Sequence, residues 1–308
     1  MSPAELRCTR CRGALGDDGG ELVCGGCGAR FAISDGVPVF AEADDYYEGR
    51  FTETIDYCSG SSRRLKSRLA LRPSFLRRHL RRGSAILDLG CGGGTDLIAG
   101  HGTVAGVDLS LESLRRARGL YPVVARADAS QLPFADGAFD HVVSMDFLGH
   151  VPLERKDAVI AEIARVLRPG GTTIHYAETD GDNLFSRVGR LSPELHRERF
   201  IELEGHHGLE RPSALVARFE RAGLRAVEAR GAYSTALRPL DEYLNRFGGG
   251  YRELHWLPRV SVPVAAAASR VPGAKQALNM GVDLFYRAAE RRLPLDAADG
   301  LLLAAVKR

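Results

Sequence analysis

Apolar residues recur along this chain in two rhythms. Short unbroken apolar runs, the mark of strands buried on both faces, fall near 85–89, 103–108, 123–127, 139–144, 171–177 and 224–230, with a last one at Gly300–Val306. Between them lie stretches of helical spacing near 95–100, 110–118, 154–168 and 211–222. The clearest is Glu154–Leu167, where Val159, Ile160, Ile163, Val166 and Leu167 share one face and Pro169-Gly170-Gly171 ends the helix. The first is poorly marked, because Gly100-His101-Gly102 cuts it short. Strand and helix in alternation predict an α/β fold, a parallel sheet with helices on both faces. Residues 1–42, 43–84 and 233–295 fall outside that rhythm and are expected to be an N-terminal module, a connector that becomes helical, and an insertion between 85–232 and 296–308. Within the insertion, Leu240, Tyr243, Leu244 and Phe247 have helical spacing, Gly248–Gly250 reads as a hinge, and Val262–Val271 and a helical Val282–Arg291 follow.

The first strand carries the most specific chemistry. Ala85–Leu89 ends beside a carboxylate, Asp88, and breaks into Gly90, Gly92, Gly93 and Gly94. In an open α/β sheet this carboxyl edge is where ligands bind. Glycines let backbone approach a bulky group, and a following helix N-terminus offers unpaired N–H donors. Asp108 ends the next strand 18 residues after Gly90, where an acid can accept from ribose hydroxyls. Asp128 ends the third, placed to accept from an adenine amino group. The spacing is G-x-G-x-G with no pyrophosphate signature, so a positively charged nucleoside without phosphates suits the rim.

Together ILDLGCGGGTD, VDLS, the ADASQLPFADGAFDHVVSMDFLGHV block and EIARVLRPGG resemble class I S-adenosylmethionine-dependent methyltransferases, within the broad group that includes ubiquinone and menaquinone biosynthesis enzymes. The resemblance spans roughly Leu80–Gly231 and implies a Rossmann-like seven-stranded sheet. It also implies that Asp88, Gly90 and Gly92 face the methionine part of the cofactor, with Cys91 beside them. Asp108, next to Leu109, would hold the ribose, Asp128 and Ala129 the adenine, and Met145 would lie near the cofactor.

At the N-terminus, Cys8-Thr-Arg-Cys11 and Cys24-Gly-Gly-Cys27 make two C-x-x-C knuckles able to close a tetrahedral thiolate site. Zinc is the default metal and an isolated iron the minority option. A module this short buries little apolar surface, so the metal is expected to supply its folding energy in a structural role. Through Phe31–Phe40 the segment is similar to Trm112-like zinc ribbons, small partners of methyltransferases, here fused in cis.

Composition narrows the rest. Six cysteines, four of them in the knuckles, fit a reducing cytoplasm better than a disulfide framework. The chain shows no signal-peptide pattern and no apolar run long enough to span a bilayer. The net charge of +3 hides a stretch, residues 63–82, with nine Lys/Arg and no acid. An RNA footprint is one reading of it. Interleaved Leu65, Leu69, Phe75, Leu76 and Leu80 favour the other, the wet face of helices.

Methyl transfer to a small-molecule acceptor is the expected function, by in-line displacement at an already activated carbon. The alternative is a zinc-ribbon-assisted rRNA or tRNA base methyltransferase. Against it, related rRNA enzymes close their metal site with a histidine where Cys27 stands here, and aromatic platforms for stacking are absent from the basic stretch. Candidates for a general base at strand ends are Asp146, His150, His175, Tyr176 and Glu178. Alternation lets only one of His175 and Tyr176 face the pocket. His206-His207 is read as a capping and packing feature, since no third ligand is spaced with it. The lid over the acceptor is placed in 180–208 and 233–295, the latter serving equally as a homodimer interface.

Overall fold

A computed structural model describes residues 6–42, 46–50, 52–58, 70–247, 250–289 and 292–308. Its main body is a seven-stranded sheet, numbered here after four short strands of the N-terminal module: β5 (Ser84–Leu89), β6 (Gly102–Asp108), β7 (Val123–Arg126), β8 (Phe139–Met145), β9 (Leu167–Glu178), β10 (Leu224–Ala232) and β11 (Gly300–Lys307). The order is β10-β11-β9-β8-β5-β6-β7, with β11 antiparallel to both neighbours and the other ladders parallel. Strand order reverses between β5 and β8, which makes β5 the switch point from which the chain winds both ways.

Strand alternation sorts the core into two faces. Leu87 and Leu89 pack with Val159, Ile160, Ile163, Leu215 and Phe219, from helices Leu153–Val166 and Pro212–Arg221. Ile86 points the other way, to Leu71, Phe75 and Leu76 of helix Leu71–His79 and Leu114 of helix Leu111–Ala117. The long helix stops at Val166 because backbone ahead of Pro169 prefers extended geometry. β9 therefore starts at Leu167, earlier than the apolar run predicts, with a register shift opposite Phe139/His141. The first crossover helix shrinks to Asp96–Ala99, capped by Gly100 as its glycine-rich end implied.

The N-terminal module is a four-stranded antiparallel meander, β1 (Leu15–Asp18), β2 (Glu21–Cys24), β3 (Arg30–Ser34) and β4 (Val37–Pro38). It docks on the edge of the large sheet. Val39 bridges Arg126 of β7, the Phe40 N–H donates to the Arg126 carbonyl (2.7 Å), and Val37 is fully buried against the Leu114 side of the core. An edge strand offers unpaired backbone groups to any passing chain, and the module takes them up.

Insertion helices Leu240–Arg246, Tyr251–Leu254, Trp256–Ser269 and Ala274–Ala289 close over the carboxyl edge. The last begins earlier than the sequence spacing predicts, since Gly273 turns the chain at φ +77°. Phe247 and Tyr251 pack on Phe185 and Phe200 from the segment after β9, forming a third apolar cluster. Gly248 and Gly249 of the expected hinge lie outside the described residues. No helix among the described residues is long and apolar enough to cross a membrane.

Asp88 follows Ile86 on its face of β5, 3% exposed, where Tyr121 donates its hydroxyl to Oδ2 at 2.7 Å. Burial pushes this carboxyl up to about 7, with Tyr121 opposing and nearby Asp108 adding to the rise. A carboxyl raised on folding stabilises the fold below its unfolded value and loses that contribution as pH rises through the folded one. Against Asp88→Asn, the unliganded wild type should lose about 2.5 kcal/mol of stability between pH 5 and pH 8. Urea unfolding of both proteins across that range checks it; parallel curves refute it. In the N-terminal module, Cys24→Ser should remove one zinc equivalent per chain, measured by elemental analysis. It should also cost soluble expression, because β7 loses its cover.

Candidate functional site

The four knuckle sulfurs converge, each within 4.8 Å of the others, with Cys8–Cys27 at 3.7 Å and Cys11–Cys24 at 3.3 Å. A tetrahedron with metal–sulfur bonds of about 2.3 Å has edges of about 3.8 Å, so the cluster fits zinc. Gly13 leaves room for it, since a Cβ there would stand 3.0 Å from the Cys24 sulfur and 3.2 Å from that of Cys11.

At the carboxyl edge of β5, Gly90, Gly92 and Gly94 adopt φ of +64°, +51° and +85°, which side chains resist. Phe147 fills the space beside Gly90, where a Cβ would meet its ring at 2.6 Å. Asp108 is oriented by two backbone donors, the N–H groups of Gly92 and Ser110, both at 2.9 Å. Burial raises its carboxyl, and those donors oppose the rise. Asp128 accepts from the backbone and hydroxyl of Ser130 and pairs with Arg155; despite partial burial these hold it below the usual range. Cys91 is buried against Asp88 and Asp108, and its thiol is pushed well up by burial. Leu109 and Ala129 follow the two rim carboxylates, and Met145 ends β8 on the Ile86 face. Three acceptors at three adjacent parallel strand ends, next to a loop with no side-chain bulk, form an acceptor set that fits a cationic nucleoside.

The connector does more than join modules. Ile55 bridges Thr95, and its N–H donates to the Gly94 carbonyl (2.9 Å). Asp96 accepts from the N–H groups of Tyr57 and Cys58, both at 2.8 Å. A Cβ on Gly93 would sit 2.3 Å from the Thr52 carbonyl, so this glycine lets the strap cross. Earlier along it, the Glu48 carboxylate accepts from the first N–H groups of helix Leu111–Ala117. Sequence reading missed the strap, since its contacts are mainly backbone bonds to partners about 40 residues away. In the basic stretch, Arg63, Arg64, Lys66 and Arg68 lie outside the described residues, while Arg78 pairs with Glu228 and Arg72 turns inward.

Beyond β8 and β9 opens a cavity of about 340 Å³. Arg72 pairs with Asp146, and its guanidinium lies 3.7 Å from the Tyr176 ring centroid. Asp146 sits at φ +57°, a strained conformation for a non-glycine residue at a strand end. Glu178 lies beside it. Burial and the Asp146 charge push the Glu178 carboxyl well up, while Arg72 keeps Asp146 down despite its own burial. Tyr176 lines the cavity and His175 does not. The His175 ring is buried on the opposite face, held by the Ser144 and Thr173 hydroxyls against Phe219, and burial drives it down to about 3. His150 lines the cavity, as does His206, whose ring centroid is 4.9 Å away. Sequence spacing offers no further ligand near His206-His207, but ligand atoms of His150, Glu178 and His206 all lie within 4.8 Å of one another. His150 and Glu178 reach His206 from beyond β8 and from the end of β9, and His207 is not among them.

A methyltransferase-domain family model matches residues 87–175, and a Trm112p-like family model matches 6–36. The chain is 38% identical to the 27-O-demethylrifamycin SV methyltransferase of Amycolatopsis mediterranei, over 30% of this chain and 38% of that protein. It is 34% identical to a methyltransferase-family protein of Encephalitozoon cuniculi, over 44% of this chain and 70% of that one. A Haloferax volcanii methyltransferase structure solved with its Trm112 activator aligns at TM-score 0.47 and 19% identity, over 80% and 91% of the two chains. The chain spans about two fifths of the length of the first curated relatives it matches. With that identity across 70% of one relative, the chain belongs to the S-adenosylmethionine-dependent methyltransferases, and a Trm112p-like zinc ribbon is built into its N-terminus.

Proposed function

We propose that this chain methylates a small-molecule acceptor held in the cavity at the ends of β8 and β9. The carrying observation is the cavity itself, whose volume of about 340 Å³ is of the size that holds small ligands. Its walls come from three directions: Tyr176 from the sheet, Phe185 and Phe200 from the segment after β9, and Tyr233 and Arg238 from the insertion. Aromatic rings exclude water, and a few charged groups fix orientation.

In this reading Asp108 takes the ribose hydroxyls, Asp128 and Ala129 the adenine, and Asp88, Gly90, Cys91 and Gly92 the methionine end, with Leu109 and Met145 flanking. S-adenosylmethionine supplies a methyl group already activated on sulfonium, so alignment and dryness carry much of the rate. Arg72 anchors Asp146 and covers Tyr176, keeping that wall rigid. A proton shared between Asp146 and Glu178 keeps two close carboxyls from both being charged. His175 has no part, being sealed in the core. The Trm112p-like match keeps a second reading in play, an RNA acceptor.

Saturating S-adenosylhomocysteine should stabilise the wild type by about 3 kcal/mol at a hundredfold excess over its Kd, seen as a rise in Tm. Asp108→Ala should abolish the rise; an undiminished rise refutes the ribose assignment. In cell extract with labelled methyl donor, label should enter ribonuclease-resistant small molecules. Label found chiefly in RNA would establish the second reading instead.

A further inference from the structure

We propose that His150, Glu178 and His206 form a binding site for a divalent transition-metal ion, separate from the zinc ribbon and opening into the acceptor cavity. Two imidazoles and a carboxylate are a donor set such ions favour, and three protein ligands leave positions open to a bound molecule.

Four observations converge on it. One ligand atom from each residue lies within 4.8 Å of the other two, though they come from three separate segments. Nδ1 of His206 and Oε2 of Glu178 are buried with no hydrogen-bond partner among the described residues. His206 is only 5% exposed, so water does not readily satisfy that nitrogen. The histidines are also oriented as metal ligands commonly are, with one ring nitrogen tied to backbone. Nδ1 of His150 meets the Gly205 carbonyl at 3.0 Å, and the Phe200 carbonyl serves the His206 ring. Finally, the fold makes room for the carboxylate: a Cβ on Gly149 would stand 2.7 Å from Oε2 of Glu178.

Charge agrees with the geometry. Asp146 has Arg72 as its cation, whereas Glu178 makes no ion pair among the described residues. A divalent ion bound there would displace the proton that Glu178 shares with Asp146 and balance the carboxylate in its place. Its open positions face the cavity, so the fitting acceptor carries an oxygen donor, a hydroxyl or carbonyl, beside the atom to be methylated. That last step rests on the methyltransferase reading; the metal site does not.

The test counts metal on the untagged full-length chain. After saturation with Zn2+ and gel filtration, the wild type should carry two zinc per chain, and Glu178→Gln and His206→Ala one each. In titrations the second site should weaken by at least about 100-fold in both variants, more than loss of an outer partner costs. One zinc in the wild type, or a second equivalent retained by both variants, overturns the site. Cobalt(II) substitution decides without any variant. The second equivalent should add visible bands lacking the thiolate charge transfer of the ribbon, and no added bands overturns the proposal. A Tm rise with S-adenosylhomocysteine is read in the same samples. Two metals without that rise would refute the methyltransferase reading and leave the metal site standing.

Discussion

Both sites at the carboxyl edge of the large sheet depend on the register of β5 between two parallel neighbours. Leu89 pairs with Val107 on one side and Asp88 with Val143 on the other. Parallel pairing makes all three strands end at one edge, and a slip of one residue would send Asp88 into the opposite apolar layer. Because β5 is the switch point, loops diverge there rather than cross, opening two sites from one edge. The glycine loop and rim carboxylates take the β6–β7 side; Asp146, Tyr176 and Glu178 take the β8–β9 side. Methyl transfer needs two ligands meeting end to end, and this topology provides for both at a single line.

The ribbon and strap answer a problem that this sheet creates. β7 is short and would end the sheet with open backbone groups, directly beside Asp128. Docking of β4 and Phe40 on Arg126 closes that edge, so the ribbon's fold thereby supports the Asp128 end of the rim. From there the chain runs through Glu48 at one helix N-terminus to Ile55–Cys58 along the glycine loop. Gly93 is thus constrained by the chain's own connector as well as by any ligand.

Legibility followed sequence distance. The strands, the glycine loop and the carboxylates Asp88, Asp108 and Asp128 were readable because each depends on neighbours within one strand–loop–helix unit. So were the paired knuckles. Alternation left His175 and Tyr176 open, and only the packing of Phe219 on one face resolves which points inward. The strap was not readable, since along the glycine loop it binds largely through its own backbone N–H groups, which any sequence possesses. Nor was the meeting of His150, Glu178 and His206, where spacing of 28 residues or more carries no periodicity to detect.

The same contrast explains why the acceptor is harder to name than the donor. The groups proposed to face the donor sit on strand ends fixed by the sheet, so their identity follows from position. The outer walls of the proposed acceptor cavity come from segments that pack on each other, Phe185 and Phe200 against Phe247 and Tyr251. That cluster is tied to the segment just before β11, where buried Arg238 pairs with Asp299 and shares the Asn183 side chain, and where Gly181 and Ser186 also bond Asp299. A wall built on its own small core can be reshaped without disturbing β5. Selection for a new acceptor would therefore act on the insertion and on 180–208, while the donor edge stays as the sheet dictates.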